Sequence, residues 1–456
     1  MPISAGDLAI IAVNRFGYGS RGDELQQAEK APVAWIKSKL TLPTFDNRLP
    51  SSGDIITESF HYYKQRKKNK KLADADTAND QKKSMVDMNK KYPRQAFLAM
   101  SADSVNQAIN SSNSVSWRLL DFFSNHFSVT AKGRLMSGLA GTLERESIAP
   151  NLLGSFADLL LSVEQHPAML IYLNNEKSFG ANSVIGKKLK KGLNENLARE
   201  ILELHTLGVD GPYQQGDVTE LAKAITGWGL VNLKREEGSG FKFNKNGHEP
   251  GSRTLLGKKY QDNGLPQGEQ MLRDLAVHPA TAKYICYKLA HHFVSETPSK
   301  SLLAKMENTW FQTHGNIKEV MNTLFEAQES WLDSPQKYKT PREFLISSHR
   351  ALNTTKIKDK AVLSSLMVLG QQPFNAGSPA GYSDEQKDWL GGSALMSRID
   401  WTAKFSSYHK RANAENIMSV ALGEGVSDHT YVAVMRAESR HQALTLLLMS
   451  PEFQRR

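Results

Sequence analysis

Leu193-Asn-Glu-Asn-Leu-Ala-Arg-Glu-Ile-Leu-Glu-Leu-His-Thr-Leu-Gly208, followed by Val209-Asp-Gly-Pro-Tyr-Gln-Gln-Gly-Asp-Val-Thr-Glu-Leu-Ala-Lys-Ala-Ile-Thr-Gly-Trp-Gly-Leu230, is the stretch whose pattern decides the fold. At about 100° per residue, Leu193, Leu197, Ile201 and Leu204 fall within roughly 80° of one another, the apolar stripe of a helix packed on a core. Asn196, Arg199, Glu200 and Glu203 then share an adjoining arc of roughly 100°, with Glu200 and Glu203 neighbours at i,i+3. Two carboxylates at the edge of a core need a partner, a cation or a shared proton.

Three readings of that helix follow. In the first, Glu195 and Arg199 pair at i,i+4, and Glu200 and Glu203 meet basic residues nearby in an ordinary ion-pair network. In the second, the carboxylates bind a metal, by analogy with inward-projecting Glu-x-x-His pairs of helical bundles. In the third, their affinities for protons split and they act as acid and base. His205 lies roughly 160° from Glu203 around the helix, and the chain contains no His-Glu-x-x-His motif.

Downstream, Asp217 and Glu220 read as a capping box, Val218, Leu221, Ala222 and Ile225 as an apolar face, and Gly227 as a C-terminal cap. The loop from Gly208 to Gly216 brings Tyr213 and two glutamines toward the first helix's end. The same periodicity recurs over 5–16, 95–109, 114–127, 135–164, 279–293, 340–352, 394–404 and other segments, which predicts a mainly α fold. Around 228–260, Phe241–Asn244 and Arg253–Tyr260 suggest short strands, a small β-hairpin insertion in the large multi-helix domain.

The 456 residues suffice for one large helical domain, taken here as 1–456. The single cysteine, Cys286, excludes intrachain disulfides and cysteine-rich metal sites, and reads as a small buried hydrophobe. No apolar run reaches the roughly 18 residues of a membrane span. The first residues lack a basic region ahead of their short apolar run, so no signal peptide is expected in the chain as it stands. A net charge of +10 favours anionic partners. Much of it lies in 63–94, read as a basic, solvated insertion. No nucleic-acid module accompanies it, so nucleic acid is not the expected partner. No P-loop is present, and Gly17-Tyr-Gly-Ser-Arg-Gly22 follows a helix rather than a strand, so no nucleotide cofactor is expected.

Several landmarks together carry a resemblance. They are Asn14-Arg-Phe-Gly-Tyr-Gly19, Trp117-Arg-Leu-Leu-Asp-Phe-Phe-Ser-Asn-His-Phe-Ser-Val129, His166-Pro-Ala-Met-Leu-Ile-Tyr-Leu173, Asn194-Glu-Asn-Leu-Ala-Arg-Glu200, Leu204-His-Thr-Leu-Gly208, Thr226-Gly-Trp228, His248-Glu-Pro-Gly251 and Ser450-Pro-Glu-Phe-Gln454. The chain resembles, over nearly its whole length, the bacterial family called domain of unknown function 1800. Phe123 stands where the family usually has Trp, Glu249 where it has Asp, and Gly381-Tyr382 in place of a Gly-Trp pair. The resemblance implies no defined activity. It does imply an association with the cell envelope, and a functional partner resembling the alkaline-phosphatase and sulfatase superfamily.

His126 lies on an aromatic-rich helix and reads either as a core histidine or as a group supplied to Glu200 and Glu203. His248, beside Glu249 in a turn, is harder to explain by packing. His166 and His278 each precede proline and read as helix boundaries. A site built from Arg199, Glu200, Glu203, His126 and His248 would suit hydrolase or lyase chemistry on an anionic or carbohydrate envelope polymer. Asn196, Tyr213, Trp117 and Trp228 are its candidate substrate contacts. Glu200, Glu203 and His248 would supply oxygen-rich ligands for Mg²⁺, Mn²⁺, Ca²⁺ or iron. The rival expectation is a non-catalytic polymer-binding or assembly protein, with Trp117, Trp228 and Trp389 in an open groove.

Overall fold

Helical periodicity resolves into helices almost throughout, and the fold is mainly α. The structure is a computed structural model that describes residues 4–73, 80–231, 240–332 and 337–456, leaving aside the side chains of 69–73 and 80–90. The segment 63–94, expected as a basic insertion, falls on the end of the helix Ser52–Ala73 and the start of the helix Asp80–Asn110, with 74–79 outside the described residues. One continuous apolar cluster extends from Ala9 to Phe453. Its densest packing joins the long helix Asp80–Asn110 to Arg134–Leu143. Close approach there depends on glycine: a Cβ on Gly138 would lie 2.7 Å from Ile55, and one on Gly141 3.0 Å from Met100.

Strong local signals set the helix ends. His166 and His278 are both N-caps, their Nδ1 atoms accepting from the amides of Ala168 and Ala280 at 3.1 Å, with proline in the first turn that follows. The second helix of the opening stretch starts two residues before Asp217. It spans Gln215–Ala224, so Asp217 sits in the first turn, and its carboxylate accepts from the amides of Gln214 (2.9 Å) and Leu256 (2.8 Å). Glu220 pairs with Lys223 instead of closing a box with Asp217. Gly227 takes φ of 79°, and a Cβ there would meet the Asn244 carbonyl at 2.5 Å, so glycine is required after this helix.

Among the described residues, three helical segments depart from a 3.6-residue repeat. Ala12–Phe16, Glu144–Ile148 and Ile201–His205 are π turns continuing α-helical segments. Each carries a buried polar residue, Arg15, Glu144 and His205 respectively. A π turn inserts one extra residue and changes which side chains face inward, a feature frequent at functional sites.

Among the described residues, the small β element expected around 228–260 consists of two antiparallel hairpins. Strands β1 (Trp228–Leu230) and β2 (Phe241–Phe243) pair with Trp228 opposite Phe243. Strands β3 (Arg253–Leu255) and β4 (Lys258–Tyr260) pair with Arg253 opposite Tyr260. Among the described residues, no helix is long and apolar enough to cross a membrane.

Buried arginines tie distant segments together. Arg118 donates to the carbonyls of Arg15 (2.5 Å) and Gly17 (3.1 Å), while Arg350 donates to that of Gly19 (3.1 Å) and pairs with Glu24 at 2.5 Å. The carbonyls of the glycine-rich loop at 17–22 thus accept from internal guanidinium groups.

Candidate functional site

The helix Ser114–His126 is amphipathic, but the face that meets its neighbours is polar in places: Asp121, Ser124, Asn125 and His126 border a cleft of about 290 Å³. Glu144 enters from the π turn Glu144–Ile148, Ser104 from Asp80–Asn110, and Tyr287, Lys288, His291 and His292 from Pro279–Phe293. The helix Pro341–Ala351 contributes Arg342 and Glu343, and the segment 371–384 closes the cleft with Gln371, Gln372, Phe374, Tyr382 and Asp384.

One wall is a chain of oriented hydrogen bonds. Arg342 donates from Nε to Asp121 (2.7 Å) and from its terminal nitrogen to Ser104 Oγ (2.9 Å), and Ser104 donates to Glu144 Oε1 (2.6 Å). Asp121 also accepts from the buried Tyr18 hydroxyl. Ser124 donates to the other Glu144 oxygen at 3.3 Å. Burial pushes the Glu144 carboxyl up, and Asp121 adds to the shift against the opposing pull of Arg342. The hydroxyls of Ser104 and Ser124, donating to its two oxygens, pull the other way, and burial remains the dominant effect.

Another part of the lining is basic and unusually neutral. His126 Nε2 faces the His205 carbonyl at 3.2 Å and must donate to it, which leaves Nδ1 as acceptor for Lys288 Nζ at 3.0 Å. Burial holds His126 well below the usual imidazole range, reinforced by Lys288. Burial also lowers Lys288 to about 8, with Asp384 opposing. Lys288 is thus poised to lose a proton near neutrality.

A third part is fixed charge. Glu343 closes a capping box with Thr340, its Oε2 accepting the Thr340 amide at 2.9 Å, and pairs with Arg118 (3.0 Å) and Arg456 (2.9 Å). Despite burial, Arg456 and Arg118 hold Glu343 down to about 2. His292 reaches Asp384 at 3.1 Å, and against the effect of burial His292, His291 and Lys337 hold Asp384 well below the usual carboxylate range.

A family model described as a protein of unknown function, DUF1800, matches residues 11–455. The chain belongs to the DUF1800 family. No curated protein and no solved structure matches it.

In this DUF1800 chain the residues singled out by sequence are dispersed. Arg199 bridges Glu195 (3.4 Å) and Glu203 (3.3 Å), and Gln215 links Arg199 to Glu195 in a network open to solvent. Asn196 opens that helix, its amide donating to the Asn194 side chain at 2.9 Å. Glu200 is half-buried, and burial pushes its carboxyl up. Tyr213 is pushed up by burial and by the adjacent Glu203. His248 Nδ1 lies 3.0 Å from the Thr226 carbonyl, and Glu249 accepts from the Asn182 amide and side chain, both fastening loops. Among the described residues, no hydrogen bond or ion pair joins Glu200 or Glu203 to His126 or His248, and the three expected metal ligands, Glu200, Glu203 and His248, form no convergent group. Only His126 borders the cleft. Trp117, Trp228 and Trp389 are 1 %, 0 % and 8 % exposed and pack inside the protein, so none lines an open groove.

The cleft residues that sequence reading passed over come from 101 to 384. Asp121 and Phe122 lie within the quoted segment 117–129, but nothing in local spacing links them to Glu144, Lys288, Arg342 or Asp384.

Proposed function

We propose that this chain is an enzyme of acid–base type, a hydrolase or lyase acting on a carbohydrate or other anionic polymer of the cell envelope, with its reaction in the cleft. The observation that carries this reading is that one cleft holds a buried carboxyl whose proton affinity burial raises, Glu144, and a part-buried amine whose proton affinity burial lowers to about 8, Lys288. Titratable groups whose environments push them apart in this way match acid and base roles at one pH. Glu144 would donate a proton to a leaving oxygen. Lys288, backed by the neutral His126, would accept one from water or from a carbon-bound position. Asp121 is engaged by Arg342 and Tyr18 and acts by holding Arg342 and Ser104 in place. Tyr287, Phe374 and Tyr382 offer flat apolar faces, and Asn125, Gln371 and Gln372 offer amides, a mixture suited to sugar rings. The excess of positive charge would draw in an acidic chain.

The test is depolymerisation of a panel of acidic and neutral envelope polysaccharides, read as new reducing ends and as ultraviolet absorbance from unsaturated ends. The wild type should cleave one class, and Glu144→Gln and Lys288→Met should not. Cleavage by both folded variants would reject the assignment. The half-buried Glu200, beside Arg199 and Glu203, is the second candidate, and loss of activity confined to Glu200→Gln would move the chemistry to that helix.

A further inference from the structure

Beyond the acid–base groups, a separate constellation stands where the helix Pro279–Phe293 ends beside the segment carrying Asp384. His291 Nε2 lies 3.7 Å from Glu296 Oε2 and 3.6 Å from Glu385 Oε1, and one ligand atom from each of the three fits within 4.8 Å of the others. These separations are too long for hydrogen bonds. They suit neighbouring donors around an ion bound at about 2.0–2.2 Å.

Two further observations point to a ligand. His291 is 7 % exposed, and its Nε2 has no hydrogen-bond partner among the described residues although it is aimed between two carboxylates. Its other nitrogen, Nδ1, lies 3.4 Å from both Asp384 Oδ2 and Lys337 Nζ; donation to Asp384 is the tautomer that frees Nε2 for a ligand, an outer carboxylate then orienting the imidazole. Lys337 contacts Glu296 through Oε1 at 3.0 Å, so Oε2 is left facing His291.

We infer that His291, Glu296 and Glu385 bind one divalent first-row transition ion of the Zn²⁺ or Mn²⁺ class. One imidazole with two carboxylates favours such ions over Ca²⁺, which takes six to eight oxygens. Three protein ligands leave positions for water or a substrate oxygen, and His291 itself borders the cleft. The assignment does not depend on Glu144 or Lys288, nor on the polymer reading.

The experiment is titration of Zn²⁺, and separately Mn²⁺, into the chelator-stripped full chain by calorimetry, with bound metal counted by elemental analysis after dialysis. Glu385→Gln is the deciding variant, because its side chain is 47 % exposed and its replacement leaves the core intact; circular dichroism checks this. One equivalent is expected in the wild type and in Glu200→Gln, with at least tenfold weaker binding in Glu385→Gln. Absence of stoichiometric binding of either ion, or equal binding by Glu385→Gln, would overturn the inference.

Discussion

The polar helix around Arg199 and the cleft around Glu144 contain similar residue types and differ in what surrounds them. Arg199, Glu195, Glu203 and Gln215 neutralise one another near solvent. In the cleft, desolvation of Glu144, His126 and Lys288 outweighs the opposing charges of Arg342 and Asp384, and all three are displaced from their usual ranges. Charge density along the sequence is therefore a poor guide to chemistry. Satisfied charges are cheap and common, whereas displaced ones cost stability and are retained where they serve function.

The sharpest way to break this comparison is Glu144→Gln. If the cleft holds the acid, turnover should fall by about 10²–10⁴-fold, the usual contribution of a positioned acid or base. Stability should hold or rise at neutral pH. A carboxyl raised by burial binds its proton more tightly in the folded chain, so native stability falls as pH climbs past the ordinary carboxyl range, and Gln removes that fall. Chemical melts of both proteins at pH 5 and pH 7 check the sign.

Glu343 is the structural counterpart within the same cleft. Replacing it with Gln leaves Arg118 and Arg456 buried around a neutral group, and a loss of about 3–5 kcal/mol is expected. Because its carboxyl titrates at about 2 when folded, below its ordinary 4.5, the stability it supplies is complete above that ordinary value and is lost as pH falls from there toward 2. The wild type should therefore lose stability across that acid window more steeply than Glu343→Gln. Parallel slopes would show that Glu343 is not the counterion.

Lys288→Met should do the opposite at neutral pH. Lowering the amine from 10.5 to about 8 corresponds, after allowance for its opening to the cleft, to roughly 2 kcal/mol spent keeping it buried. The unfolded chain holds this proton more tightly, so wild-type stability should rise between about pH 8 and 10.5 relative to the variant. The variant should thus be more stable at pH 7, and inactive. A destabilised Lys288→Met would mean that the contact with His126 outweighs desolvation.

Much of the fold was legible because it rests on local rules. His166-Pro and His278-Pro read as helix boundaries and are N-caps, and the stripe Leu197, Ile201 is buried as its spacing predicts. Phase was lost at the π turns, where one extra residue shifts every later side chain, and this affects His205 and Glu144 directly. The second hairpin was hidden by strands of three residues, too short to show alternation. The cleft was illegible for a different reason: Asp121, Glu144, Lys288, Arg342 and Asp384 are assembled by tertiary packing, and none stands at motif spacing from another.

The smallest expected effect is the most informative about where the chemistry lies. Arg199 is held by two carboxylates at 3.3–3.4 Å, its side chain is 39 % exposed, and pairs of this kind contribute about 0.2–1 kcal/mol. Arg199→Ala should therefore shift stability by no more than about 1 kcal/mol and leave turnover in the cleft unchanged, and added salt should weaken even that difference. A large loss of activity with an intact fold would mean that Arg199 positions Glu203 and Glu200 for a reaction of their own. The partly buried Glu200, and not Glu144, would then be the acid, and solvent-facing charge on this helix would have to be read as a site instead of a surface.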